Sequence, residues 1–480
     1  MSENFKRSLG LVDATSLVAG SMIGSGIFIV TTIMMRDIGS AGWLIVLWVL
    51  TGVITVFAAL SYGELAGMMP GAGGQYVYIQ RAYGKMASFL YGWTVFSVIQ
   101  TGVIAAVAVA FAKYSAVFFP SLNSVFLEIT GFLKITFGQL ISIGSIVLLT
   151  LLNTGGIQNG KWLQLIFTGA KLIALFGLII LGLIVGLKSN TFAENFHNMW
   201  DAKKTIIDDS NDIQIIPLTG FALAGALGAT IINSLFSSDA WNNVTFIAGE
   251  IKNPQKNIPR SLFLGTLIVT IIYILANLAY LALLPIQGSP SAEDPIGQGI
   301  LFAFDERLGS SAASVIFGTT GVFLMAALIM ISTFGCNNGL ILAGSRLFYA
   351  MSKDGLFFKQ ASSLNKKAVP AVALWIQCIW ASVLCLSGKY GDLLVYSTFA
   401  SLLFYILTIG GIFILRKKEP DADRPYKAFG YPVIPALYIL LTLAICIDLL
   451  IYDPVNAGIG LFIVFLGVPF YFFANRSSVT

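Results

Sequence analysis

Charge is what this 480-residue sequence has least of. Asp, Glu, Lys and Arg make up 11% of it, against about 25% in soluble domains. No polar stretch is long enough to be a soluble domain; the longest, 188–214, reads as a loop. Histidine is nearly absent. The one copy, His197, lies in that loop, where solvation is the ordinary reading. There is no HExxH, no Cys/His cluster and no evident catalytic triad, so enzyme chemistry, a metal site and a cofactor are not expected. The four cysteines, Cys336, Cys378, Cys385 and Cys446, form no CxxC pair and fall inside apolar runs. They read as small packed hydrophobes. A cleavable signal is not expected either, because the first apolar run, 11–35, is too long and lacks a small-residue site at its end.

What the chain has is apolar length. Hydrophobic residues are 57% of it, with 36 Phe and 48 Gly, in keeping with membrane helices. At about 20 residues per span, twelve segments follow, near 11–36, 41–68, 86–112, 137–153, 162–187, 217–249, 261–284, 312–343, 370–387, 392–415, 431–452 and 457–474. The expected class is an all-α polytopic membrane protein with the lipid bilayer as its surroundings. With a cytoplasmic N-terminus, nineteen Lys and Arg fall on the inner side and eight, Lys389 among them, on the outer side. That bias orients the chain with both termini inside. It also accounts for the net charge of +5, which needs no nucleic-acid partner.

Two segments are interrupted. In the first, Gly20-Ser21-Met22-Ile23-Gly24-Ser25-Gly26 holds three glycines and two serines in seven residues. Glycine loses the most entropy on becoming helical, and serine bonds the backbone in other ways. The stretch is either an opened helix, with donors and acceptors bare at mid-membrane, or a small-residue surface for close packing. In the sixth segment, Phe236-Ser237-Ser238-Asp239 puts a carboxylate at mid-span. Facing lipid, Asp239 would cost a few kcal/mol. It therefore faces the interior or a cavity, or else caps a helix running from Ala240 to Ile251. Two broken helices five apart are the sequence mark of two five-helix inverted repeats with a site between them.

At these residues the chain resembles a known family. Gly20 to Phe28, Tyr62-Gly63-Glu64-Leu65 and Pro70 to Tyr78 look like the amino acid–polyamine–organocation transporters. Phe236 to Asn242, with Gly249-Glu250-Ile251-Lys252-Asn253-Pro254, is similar to the L-type amino acid transporter branch and its bacterial relatives. The resemblance implies the leucine-transporter fold, with helices 1–5 and 6–10 as inverted repeats and helices 1 and 6 unwound at mid-membrane. It implies transport of L-amino acids. The substrate carboxylate would meet Ser25, Gly26 and Ile27, the α-ammonium would meet carbonyls near Ile23, Phe236 and Ser237, and Phe236 would close over the substrate from outside. Gly24 and Ser238 complete the small-residue lining. Animal members carry a cysteine between helices 3 and 4 that links a heavy chain; 113–137 has none here, so no disulfide-linked heavy chain is expected. Many mammalian relatives have glycine where this chain has Asp239, which does not by itself argue for cationic substrates.

Lys171 lies ten residues past Lys161, or ~15 Å at the helical rise, near the bilayer midplane. It needs partners at that depth. One reading is an interior lysine that holds backbone carbonyls together. Family members carry a lysine here in place of the sodium ion of sodium-coupled cousins. The partners that resemblance implies are the carbonyls of Gly20 and Ile23 and the hydroxyls of Ser332 and Thr333. Sodium-independent exchange of neutral L-amino acids, by alternating access at the cell membrane, is the expected function. A proton-coupled importer on the same fold, for amino acids generally or for cationic amino acids or polyamines, is the alternative. The expected organisation is a cytoplasmic N-terminus at 1–10, a first repeat at 11–187, an external loop at 188–216, a second repeat at 217–415, and two helices with the C-terminus at 416–480. Glu64 ends helix 2; Glu250, Lys252, Asn253, Pro254 and Arg260 read as cytoplasmic gate or turn residues or, equally, as a plain surface loop, with Arg346, Tyr349 and Asp354 as partners on closure of an inner gate.

Overall fold

The computed structural model describes residues 7–129, 133–207, 213–387 and 390–476. Lys6 and Lys389 of the charge tally lie outside the described residues. Helices dominate. The first half runs α1 (Leu11–Met22), α2 (Gly26–Ile38), α3 (Ala41–Met68), α4 (Gln75–Tyr83), α5 (Lys85–Thr94), α6 (Gln100–Ser115), α7 (Phe137–Thr154) and α8 (Ile157–Gly186). A short helix, α9 (Thr191–His197), leads to the second half. That half comprises α10 (Gly220–Ser237), α11 (Asn243–Phe246), α12 (Pro254–Leu283), α13 (Pro295–Gln298), α14 (Leu308–Phe317), α15 (Thr319–Lys353), α16 (Ala371–Ser387) and α17 (Tyr390–Lys418). The chain closes with α18 (Val433–Tyr452) and α19 (Pro454–Arg476).

Among the described residues, eleven helical spans are long and apolar enough to cross a membrane, counting 11–38 as one. The 17-residue α16 is the remaining segment of the twelve. Large apolar side chains stay exposed around the bundle, among them Phe221, Ile173 and Leu440, as a lipid-facing surface requires. The spans are longer than their apolar cores suggest: α12 starts at Pro254 rather than 261, and α15 reaches Lys353. A proline suits the first turn of α12 because its missing N–H would have no partner there. Residues 95–99 between α5 and α6 form one π-helical turn.

The polar loop expected at 188–216 has more structure than a loop. It holds α9 and an antiparallel hairpin, Lys203–Ile207 against Ile213–Pro217. A matching hairpin, β1 (Val125–Ile129) with β2 (Leu133–Thr136), precedes α7. The hairpin at 203–217 packs on α2. At its start Ser40 Oγ donates to the Met199 carbonyl, and Trp43 Nε1 to the Trp200 carbonyl at 3.1 Å. His197 is exposed. In the interior, α12 packs on α1, α3 and α8, and α15 packs on α1, α6 and α8. The two interrupted helices are thereby enclosed.

Candidate functional site

The first break is real and short. The helix stops at Met22 and restarts at Gly26. Ile23 leaves helical geometry at φ −76°, ψ 87°. The amides of Gly26 and Ile27 open a new helix, so no carbonyl of that helix reaches back to them, and the positive end of α2 lies here. Small residues let the break sit against the second one. A Cβ at Gly26 would overlap the Ser237 side chain and lie 3.0 Å from the Ser237 Cα. A Cβ at Gly24 would lie 3.1 Å from Cys336 Sγ. The stretch is therefore both an opened helix and a close-packing surface.

The second break runs from Ser238 through Asn242. Ala240 has φ +66°, a left-handed conformation that costs an L-residue about 1–2 kcal/mol. The helix expected from Ala240 to Ile251 does not form. Only one turn, α11, follows, then a 3₁₀ turn at Ala248–Glu250. Asp239 caps no helix; its Oδ1 accepts from the Tyr405 hydroxyl. The negative end of α10 thus meets the positive end of α2, and each break exposes the charge that the other lacks. Phe236 is buried beside them.

Lys171 is 1% exposed, although Ile173 two residues on is 76% exposed. Its Nζ donates to the Gly20 carbonyl at 2.9 Å and to the Ile23 carbonyl at 2.6 Å. These are the carbonyls that α1 leaves unpaired where it stops. Ser332 Oγ lies 3.2 Å from the Ile23 carbonyl and 3.3 Å from that of Gly24. Lys171 and Ser332 therefore share an acceptor. Thr333 does not join them: its hydroxyl turns to the Ile329 and Met330 carbonyls of its own helix.

Three contributors escaped the sequence reading. Tyr273 on α12 holds its hydroxyl 3.0 Å from the Met22 carbonyl and 3.1 Å from the Ser237 carbonyl, so one side chain spans both breaks. Asn277, one turn on, accepts from Thr31 of α2 at 2.7 Å. A Tyr and an Asn four apart in an apolar span were the available signal. Cys336 is more than packing, since its Sγ donates to the Ser21 carbonyl at 3.0 Å; with Ser332 it forms an i, i+4 pair on α15 facing the opened chain.

Ion pairs gather away from the breaks. Arg346 of α15 meets Glu250 at 2.9 Å with both side chains buried. The segment 250–252 is also pinned by backbone bonds to Ser8 and Leu9. Glu64 takes Arg416 at 2.9 and 2.6 Å, and Arg424 at 3.3 Å. Asp354 pairs elsewhere, with Tyr76 and Gln80, and Lys353 lies over the Tyr349 ring. At the surface beyond α17, the hydrogen-bonded Arg81 guanidinium holds the Glu419 carboxyl below its usual range. Between α13 and α14, Glu306 joins Arg36 at 3.1 Å and Lys113 at 3.3 Å.

Paired half-helices whose opposite dipole ends meet inside a closed bundle of membrane spans define a secondary transporter. The comparisons place it further. The amino acid permease family model matches residues 9–478, and the chain belongs to that family. It is 31% identical over 97% of its length to the human large neutral amino acids transporter small subunit 2, covering 80% of that protein. It is 28% identical to the mouse Asc-type amino acid transporter 1, over 97% of this chain and 81% of that one. To the mouse b(0,+)-type amino acid transporter 1 it is 27% identical, over 94% and 84%. The family is one of transporters, not enzymes, with the leucine-transporter fold that the resemblance implied.

Proposed function

We propose that this chain is a sodium-independent exchanger of neutral L-amino acids that works by alternating access. The observation that carries the proposal is the Lys171 ammonium on the Gly20 and Ile23 carbonyls. A cation built into the chain fills the position that a transported cation would need, and it ties the opened turn to α15 through Ser332. The names of the relatives, a large neutral amino acids transporter among them, support the substrate class. In this reading the substrate carboxylate sits at Ser25, Gly26 and Ile27, on the positive end of α2. The α-ammonium meets the carbonyls of Ile23, Phe236 and Ser237, at the negative end of α10. Phe236 gates the site from outside, and Gly24, Ser238 and Asp239 complete its wall.

The two repeats span 11–187 and 217–415, with both termini cytoplasmic and the chain in the plasma membrane. Some of the relatives are named as small subunits, whereas 113–137 holds no cysteine. We read the chain as working without a disulfide-linked heavy chain. A proton-coupled importer is the second reading, favoured by two ionisable groups beside the breaks, the buried Lys171 and the half-buried Asp239. Counterflow in proteoliposomes separates the two. Exchange should persist without a sodium or proton gradient, and uptake that collapses when sodium is replaced sinks the proposal. Phe236→Ala should lower exchange by about tenfold or more; unchanged uptake counts against the gate.

A further inference from the structure

Three arginines near the end of α3 and the start of α12 have carboxylate partners: Arg346 takes Glu250, and Arg416 and Arg424 share Glu64. Two basic residues on α12 differ. Lys256 and Arg260 are exposed, and among the described residues neither side chain has a hydrogen bond or an ion pair.

Both line a cavity of about 350 Å³, room for a headgroup rather than a single water. Its walls come from distant stretches. Leu60 belongs to α3, Phe263 to α12, and Tyr426 to the turn before α18. Gly63 lets that turn close in, because a Cβ there would lie 2.7 Å from the Tyr426 ring and 3.2 Å from Pro259 Cβ. No Asp or Glu is among the described residues of the lining.

The depth of the cavity is informative. The 30 residues of α12 span ~45 Å, about a bilayer with its headgroups. Arg260 is six positions past Pro254, ~9 Å in, where headgroups give way to acyl chains. From there the exposed face of α12 continues through Leu264, Ile268 and Ile271. The exposed face of α3 leads to the same cavity through Val49 and Val53.

Two unpaired cations at headgroup depth, with apolar faces leading away into the membrane, suit a phosphate diester that carries acyl chains. A guanidinium fork matches phosphate oxygens in pairs. A soluble anion would meet the cations and none of the apolar faces. A zwitterionic lipid would bring its own cation against Lys256. We propose that this cavity holds the headgroup of an anionic phospholipid, with its phosphate on Arg260 and Lys256 and its acyl chains along α3 and α12. The site is separate from the breaks, and it stands whether or not the chain exchanges amino acids. It joins the turn before α18 to α12, the span whose Tyr273 reaches both breaks.

The test melts the full purified chain in detergent with added phosphatidylglycerol or phosphatidylcholine of identical acyl chains. Both lipids should raise the thermal midpoint, and phosphatidylglycerol should reach half of its effect at about tenfold lower concentration or less, since each cation beside an anionic headgroup is worth about fivefold. Arg260→Gln should remove most of that preference. Lys256→Gln should reduce it too, and it carries the prediction if the arginine variant fails to assemble. Lys366→Gln, at an exposed lysine outside the cavity, makes the same change in net charge and should leave the preference intact. Equal response to the two lipids overturns the site, as does a preference that survives both cavity variants or falls equally with Lys366→Gln. An equal rise with inorganic phosphate in place of lipid overturns it in favour of a soluble anion.

Discussion

The two breaks solve the same problem with opposite charges. A helix that stops in a membrane leaves bare carbonyls behind it and bare amides ahead. At the first break the carbonyls of Gly20 and Ile23 are taken by a cation from another span, Lys171. The second break carries its own anion, Asp239, held by Tyr405 from α17. The first is tied by α8, which carries Lys171. The second is tied by α17, which carries Tyr405. Tyr273 touches both, through Met22 and Ser237. The first break is thus held by a strong, fully buried charge–carbonyl contact, and the second by a side-chain pair.

That contrast is open to test. Lys171→Met should have the largest effect. It removes the donor from two buried carbonyls, each of which costs about 1–3 kcal/mol when left unmade. Exchange should fall to background and the thermal midpoint should drop; exchange at the wild-type rate would remove the basis for treating the first break as cation-tied. Gly26→Ala should come next, because its Cβ overlaps Ser237. We expect a loss of exchange of about tenfold or more, partly restored by Ser237→Gly in the same chain. No rescue would mean that the two breaks do not close on one another at this point. Tyr273→Phe should be the mildest, at about 1 kcal/mol in stability for one lost hydrogen bond, with exchange reduced severalfold. An unchanged melting curve and rate would show that the two breaks need no common staple.

Two ion pairs differ in the same sense. Arg346 and Glu250 are 1% and 2% exposed, whereas Arg36 and Glu306 are 26% and 30% exposed. Breaking the buried pair by removing one partner strands a charge; the more exposed pair is screened by water and salt.

The spans were legible because apolar length is a local property, and the breaks because glycine, serine and aspartate at mid-span are local too. What followed the second break was not legible. A continuous helix from Ala240 looked natural, yet Ala240 turns left-handed and Asp239 binds α17 instead of capping. Thr333 was expected to join Lys171, and its hydroxyl donates instead to the Ile329 carbonyl of its own helix. The hairpin at 203–217 was read as loop because short exposed strands carry little hydrophobic pattern.

The sequence by itself determined a multi-span membrane protein with two interrupted helices, because lipid forces apolar length and makes every helix-breaking residue conspicuous. Only the tertiary structure decided which residues serve the breaks. Tyr273 reaches Met22 across 251 positions, and Cys336 reaches Ser21 across 315. Contacts between distant residues depend on the rotation and depth of whole helices, and no window of sequence carries those two quantities.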